Sequence, residues 1–285
     1  MSMCRKERQA AGGASCVAST EGPTGLTEAA VALPSASEVW EDAWELFHTR
    51  QNANARFYKE KRYIPLAFPV LRDRSRSWRI LEVGCGCGST VLPLLQDNPM
   101  IQATAVDISA AAVRTTATIS QKLGFENRLE TFVANLTDPA DPGVVRLTQA
   151  HPGGFDALLM IFTLSAVNPL ARVVGGDTTT SDMTCALETA NRSLKMGGLL
   201  LIRDYGLYDM TQLRFPGAAL IGENLYMRQE GTLAYFFAKE DLHRRLEASG
   251  FRKIELEYHC VHSHNRKKGT ILKRVFIHAI YEKVL

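Results

Sequence analysis

Residues 80–90 read ILEVGCGCGST. An apolar run ends in three glycines, Gly84, Gly86 and Gly88, spaced G-x-G-x-G, and a helix-like segment follows at about 89–96. Glycine allows torsions closed to other residues and a close approach of backbone to ligand. The first turn of the helix beyond offers unpaired N–H groups. A dinucleotide-binding turn wants G-x-G-x-x-G, whose third glycine would fall where Ser89 stands. The shorter spacing suits a nucleoside with no pyrophosphate to cradle. Asp107 ends the next apolar run, where a carboxylate can accept hydrogen bonds from both ribose hydroxyls. Cys85 and Cys87 lack the two further partners a zinc site needs, and read as small residues in a tight loop.

Outward from this turn the chain alternates strand and helix. Apolar runs at 78–83, 102–107, 129–134, 155–162 and 198–203 are separated by helix-like segments at about 89–96, 109–122 and 182–195. That alternation predicts an α/β fold with a doubly wound, mainly parallel sheet. Two more strands, about 252–260 and 271–282, flank the basic loop HSHNRKKGT with no helix between them, which predicts a terminal antiparallel hairpin and seven strands in all. VVGGDTTTSD, residues 173–182, reads as a polar surface loop.

Length and composition set the frame. The 285 residues, 46% apolar and 22% charged, suit one large α/β domain. No apolar run approaches the roughly 20 residues of a membrane span. Six cysteines without a CxxC pair point to reduced thiols and an intracellular home, expected to be cytoplasmic or nuclear. Residues 1–34, rich in Ala, Gly, Ser and Thr, are expected to be disordered. Their Arg, Ser and Ala would also suit an organellar transit peptide, against which Glu7, Glu21 and Glu28 count. The remainder, 35–285, is expected to form a single domain opened by a helical lid at about 37–63. SEVWEDAWELFHTR there places Trp40, Trp44, Phe47 and His48 on one helix face, with Ser37 as N-cap.

Net charge is +3, but from Leu242 onward ten Lys and Arg face four Asp and Glu. A basic lobe on a near-neutral chain suits a polyanion such as RNA, or simply a solvated face. HCVHSH, residues 259–264, alternates along a strand and makes a poor metal site, so no metal is expected.

The stretch LLLIRDYGLYDMTQLRF, residues 199–215, carries Arg203 and Asp204 to a strand end beside the glycine turn. Together with LMIFTLSAVNP (159–169), ENLYMRQEGT (223–232), YFF (235–237) and RVF (274–276), it resembles the family that makes 3-methylcytidine in the anticodon loop of tRNA, within the class I S-adenosylmethionine-dependent methyltransferases. The resemblance covers about 38–283. It implies a Rossmann-like sheet, S-adenosylmethionine as cofactor, and serine- and threonine-type tRNAs as substrates. It also implies that Trp44, His48, Gly84, Gly86, Gly88, Asp107, Asn135, Leu136 and Ile161 hold the cofactor. An aminoacyl-tRNA synthetase or an adaptor is a further implied partner.

The chemistry of that reaction assigns the remaining residues. N3 of cytosine is reachable only in an unpaired or flipped base. Its lone pair needs no strong base, but methylation leaves a cation that a carboxylate can stabilise. Asp204 is therefore the expected catalytic group, with Arg203 orienting it or binding a phosphate, and Tyr205 or Tyr208 stacking on the base. Arg214, Arg228, Arg266, Lys267, Lys268, Lys273 and Arg274 are expected to hold RNA. The family pattern is departed from at His48 (usually Tyr), Asn135 (often Asp), Pro216 (Lys) and Leu233 (often Arg), which bears on tRNA choice. The alternatives are methylation of a small molecule or protein, and a non-catalytic RNA-binding subunit.

Overall fold

The computed structural model of the chain describes residues 37–52, 59–150, 153–174, 178–265 and 269–284. The segment expected to be disordered, 1–34, and Arg266, Lys267 and Lys268 lie outside the described residues. Helix α1 (Ser37–Leu46) begins at the residue read as its cap and runs into a π-helical turn, Phe47–Gln51. One turn of helix, α2 (Ile64–Ala67), precedes strand β1 (Trp78–Val83), helix α3 (Val91–Asp97), strand β2 (Ile101–Asp107) and helix α4 (Ala110–Lys122). Next come β3 (Leu129–Val133), α5 (Pro142–Ala150), β4 (Phe155–Ile161), β5 (Ala171–Val174), β6 (Thr178–Ser181), α6 (Asp182–Ser193) and β7 (Leu194–Tyr205). Three short strands, β8 (Leu220–Gly222), β9 (Leu225–Met227) and β10 (Leu233–Tyr235), lead to α7 (Lys239–Ala248), β11 (Phe251–Asn265) and β12 (Thr270–Lys283).

Seven strands form the main sheet in the order β11-β12-β7-β4-β1-β2-β3. The pairs around β1, β2, β3, β4 and β7 are parallel, and β12 runs antiparallel to both β7 and β11. The seven-stranded Rossmann-like expectation, with its terminal antiparallel hairpin, therefore holds. Strand order reverses at β1, between β2 and β4. Open α/β sheets bind ligands at such a reversal, outside the carboxyl ends of the strands.

Alternation along the strands builds two apolar layers. Leu81, Met160, Leu200 and Ile202 pack beneath Met183 and Leu187 of α6 and Leu242 and Leu246 of α7. Ile80, Leu159 and Leu201 face the other way, onto Val91 and Leu94 of α3 and onto Ile64, Phe68 and Leu71. Helix starts follow their capping residues: Ser109 Oγ accepts from Ala112 N at 3.2 Å before α4, and Ser181 Oγ from Thr184 N at 3.1 Å before α6.

Two features depart from the sequence reading. Val173, Val174 and Thr178–Ser181, read as loop, lie in strands, because β5 and β6 pair antiparallel from Ala171↔Ser181 to Val174↔Thr178; residues 175–177 lie outside the described residues. The β-branched Val173, Val174 and Thr178–Thr180 favour that pairing, which the Gly and Asp between them had masked. The small β8–β9–β10 sheet escaped notice because strands of three residues carry no periodicity.

Candidate active site

A cavity of about 300 Å³ opens at the reversal point, at the carboxyl ends of β1, β2, β4 and β7. Its glycine wall divides into different jobs. Gly84, Gly86 and Gly88 have φ of +70°, +55° and +77°. A Cβ on Gly84 would stand 2.5 Å from Thr163, and one on Gly88 2.6 Å from Leu92 Cδ1, whereas on Gly86 the nearest atom is His48 Cε1 at 3.6 Å. Gly84 and Gly86 line the cavity; Gly88 does not. Gly88 thus serves the packing of the turn onto α3, not the cofactor wall assigned to it. Asp107 ties the turn to the next helix: its carboxylate accepts from Gly86 N at 2.8 Å and from Ser109 N at 2.9 Å. Burial pushes that carboxyl up, opposed by His48 and by these two bonds. Each oxygen has a second lone pair, and Asp107 lines the cavity.

The roof comes from α1 and its π-helical end, a distortion often found at functional sites. Trp44 and His48 both line the cavity, with the Trp44 and His48 rings 6.1 Å apart and Phe47 edge-on to each. Asn52 Nδ2 meets His48 Nδ1 at 3.2 Å, and burial holds the imidazole below its usual range. Glu45 fastens this roof. Its carboxylate accepts from Ser109 Oγ at 2.6 Å and Ala111 N at 3.0 Å, on the N-terminus of α4, with Arg114 at 3.4 Å. Burial alone would raise the Glu45 pKa, but the bonds from Ala111 and Ser109 outweigh it and leave it lowered.

Sequence reasoning missed Glu45, and also Lys61 and Glu82. Lys61 Nζ donates to Ser89 Oγ at 2.5 Å, and its backbone N to Ser89 O at 2.7 Å, so the residues before β1 are tied to the glycine turn. Burial lowers Lys61 and raises Glu82 to about 7, each opposed by the other's charge. The one signal was a glutamate inside the apolar run ILEV, where burial without a cation is costly.

Asn135, Leu136 and Ile161 also line the cavity, as do Thr163 to Asn168, Tyr205, Arg228 and Arg274. Asn135 Oδ1 is engaged by Thr137 N at 3.0 Å and Thr137 Oγ1 at 2.7 Å, which shapes the loop after β3. Phe162 sits at φ +61°, a strained torsion for a large residue, directly after β4. Its ring packs 5.2 Å from Tyr205.

Arg203 and Asp204 do not act as a pair. As consecutive strand residues they point to opposite faces. Asp204 is 0% exposed and lies outside the cavity-lining set; its carboxylate accepts from Ser165 N and Tyr205 N, each at 2.9 Å. Burial pushes it up to about 6, against these bonds. The expectation that Asp204 faces the substrate is corrected: it does not line the cavity and holds two residues, Ser165 and Tyr205, that do. Arg203 lies outside the cavity as well, between the rings of Tyr63 and Phe276 at 5.2 and 5.0 Å. Tyr208 is 72% exposed at φ +63° and, like exposed Arg214 and Lys273, does not line the cavity. Of the residues expected to hold RNA, Arg228 and Arg274 reach it. Buried Asp209 positions Arg274 by accepting its Nε at 2.8 Å and Val275 N at 2.8 Å.

Comparison with known proteins gives this geometry its family. Residues 47–256 match the methyltransferase domain family. Over 244 residues the chain is 32% identical to the tRNA N(3)-cytidine methyltransferase METTL6 of Homo sapiens, covering 84% of this chain and 79% of that one. The chain belongs to the tRNA N(3)-cytidine methyltransferase family. It is also 36% identical over 218 residues to O-methyltransferase 3 of Dictyostelium discoideum, covering 76% of this chain and 46% of that protein. Among solved structures, a SAM-dependent methyltransferase from Anabaena variabilis matches with a TM-score of 0.60 at 14% identity, covering 86% of this chain and 95% of that one, a likeness of fold.

The family's cofactor fits the residues present. S-adenosylmethionine needs a close backbone approach, which Gly86 leaves open, and an acceptor for ribose hydroxyls, which the cavity-lining Asp107 carboxylate would supply. Ile108, Leu136 and Ile161 are apolar lining that would suit an adenine ring, and Trp44 and His48 line the same cavity. Among the described residues no cluster of His, Cys, Asp and Glu suits a metal ion, and no helix is long and apolar enough to cross a membrane.

Proposed function

We propose that the protein transfers a methyl group from S-adenosylmethionine to N3 of an unpaired cytidine in the anticodon loop of tRNA, on serine- and threonine-type acceptors. One observation carries this reading. A single cavity is lined both by Gly86, Asp107, Trp44 and His48, which suit a nucleoside, and by Tyr205, Arg228 and Arg274. The bound cofactor supplies an electrophilic methyl on a sulfonium. The chain's own residues then orient the two reactants and exclude water.

Tyr205 offers a ring on which a flipped base can stack, and Arg228 and Arg274 stand at 5.9 and 5.7 Å from that ring, placed for flanking phosphates. N3 attacks through its own lone pair, so no side chain has to take a proton in that step. Asp204, ionised at neutral pH, holds the backbone of Ser165 and Tyr205 and sets a negative charge behind the wall where the base becomes cationic. It is a positioning residue in this scheme. Helix α1, pinned through Glu45, acts as the lid over the cofactor. An aminoacyl-tRNA synthetase or an adaptor presenting the tRNA belongs to the same proposal.

The test is to incubate the purified protein with S-adenosylmethionine and unmodified bulk tRNA, digest the RNA and look for 3-methylcytidine by mass spectrometry. A clear product supports the assignment. No product with cofactor binding intact, persisting when serine or threonine tRNA synthetase is added, favours the second reading. That reading is methylation of a small hydroxylated molecule, prompted by the likeness to O-methyltransferase 3.

A further inference from the structure

Five side chains near the cavity mouth alternate cation and ring. Arg228 and Arg274 flank Tyr205 at 5.9 and 5.7 Å, and Arg274 and Arg203 flank Phe276 at 4.9 and 5.0 Å. The register produces most of this row. Tyr205 pairs with Phe276 and Arg203 with His278, while His259 pairs with Phe276 from the other side. Alternation then sets Arg203, Tyr205, Arg274, Phe276, His278 and His259 on one face. Arg228, Tyr205 and Arg274 line the cavity, and Phe276 and Arg203 do not, so the row leads out of it.

The three arginines differ in how they are satisfied. Arg274 has the buried Asp209 carboxylate. Arg228 donates to Thr232 Oγ1 and to the Leu233 carbonyl. Arg203 is only 6% exposed, and among the described residues no carboxylate lies within ion-pair distance of it. Its Nη1 meets His259 Nδ1 at 3.1 Å, the guanidinium also hydrogen-bonds the Tyr63 side chain, and its Nε has no partner. His278 stacks on His259 with ring centres 4.6 Å apart; its Nε2 faces Glu255 at 3.5 Å and its Nδ1 is also unpartnered. A buried guanidinium is rarely left without an anion, because desolvation is then uncompensated. Tyr63 and His259, both partly open to solvent, are its outer neighbours.

We infer that Arg203 and His259 form a phosphate subsite at the outer end of this row, taking a backbone phosphodiester of the RNA strand whose cytidine enters the cavity. The inference rests on the proposed reaction. A planar guanidinium takes a phosphate through two parallel hydrogen bonds, and an imidazole N–H supplies a further donor beside it. Cations alternating with rings are what a single strand needs, charge for its phosphates and faces for its bases.

The experiment measures binding of a fluorescently labelled anticodon stem-loop RNA against salt concentration, for wild type, Arg203→Met and Arg203→Lys, with S-adenosylmethionine affinity and methylation of the same RNA measured in parallel. Loss of one phosphate contact should weaken RNA binding roughly tenfold and reduce the salt slope by about one, with cofactor affinity unchanged. Lysine should restore the slope but only part of the affinity. An unchanged slope in a folded Arg203→Met variant would overturn the subsite while wild-type methylation keeps the reaction standing, and would leave Arg203 as a clamp between Tyr63 and Phe276. A wild type that neither binds nor methylates the RNA overturns both. Should Arg203→Met fail to fold, the histidine ring resonances of wild type decide: His259 and His278 shift on adding the RNA, or the subsite is wrong.

Discussion

Arg203 and Asp204 are chain neighbours whose side chains serve opposite faces of the sheet: Arg203 Nη1 meets His259 Nδ1 at 3.1 Å, while Asp204 Oδ2 accepts from Ser165 N at 2.9 Å. The pair of charges at the end of β7 is therefore two separate devices. Asp204 steadies the cavity wall, and Arg203 anchors the outer end of a row of cations and rings.

Replacing Asp204 by Asn should keep cofactor binding and lower turnover on the order of a hundredfold, since one of the two backbone bonds and the buried charge are lost together. Wild-type turnover should fall as pH drops through about 6, where the carboxylate takes up its proton, and the variant should lack that limb. Stability runs the other way. The folded pKa lies above the ordinary value, so the native state binds the proton more tightly and loses stability as pH rises toward 6. Steady-state kinetics against pH, beside thermal melts of both proteins, check both signs.

Glu45→Gln should loosen the roof without touching the chemistry. Losing an ionised acceptor at the N-terminus of α4 costs about 1 kcal/mol, roughly fivefold in S-adenosylmethionine affinity if the roof closes on the cofactor. Calorimetry gives the affinity, and turnover at saturating cofactor should be near that of wild type.

The glycines can be told apart. Gly88→Ala forces a Cβ toward Leu92 at φ +77°, and should cost about 1–3 kcal/mol of stability while the folded protein still binds cofactor. Gly86→Ala is strained at φ +55° but meets no close protein atom, so its stability loss should be smaller than that of Gly88→Ala, while the methyl in the cavity lowers cofactor affinity. Melts and calorimetry on the two variants would show the same pattern for both if the division is wrong.

Lys61→Met leaves Glu82 buried without its cation. Burial already raises Glu82 to about 7, so the folded state favours the protonated form and stability falls as pH rises from about 4.5 through 7. Removing Lys61 should carry that loss to higher pH. Urea denaturation should find the variant more destabilised at pH 8 than at pH 6, and equal losses at the two would remove Glu82 from the account.

Much of this architecture was legible because it is periodic or punctuated by glycine. The ILEV run and the strands ending at Asp107 and Ile161 fall within a residue or two of their expected bounds. Trp44, His48, Gly84, Gly86, Asp107, Asn135, Leu136 and Ile161 all meet at one cavity. What was lost depends on distance along the chain. Glu45 reaches Ser109 across 64 residues, and Lys61 finds Ser89 across 28, with nothing local to announce either contact. The opposite facing of Arg203 and Asp204 was readable from the two-residue period of a strand, and was passed over because two adjacent opposite charges suggest a pair.

The most direct test compares single-turnover methyl transfer to two tRNA transcripts that differ only at the target position of the anticodon loop, cytidine in one and uridine in the other. The expected result is 3-methylcytidine in the first and no transfer to the second at that position. Equal transfer to both, or a methyl group found elsewhere in the RNA, would contradict the assignment of cytidine N3 as the acceptor.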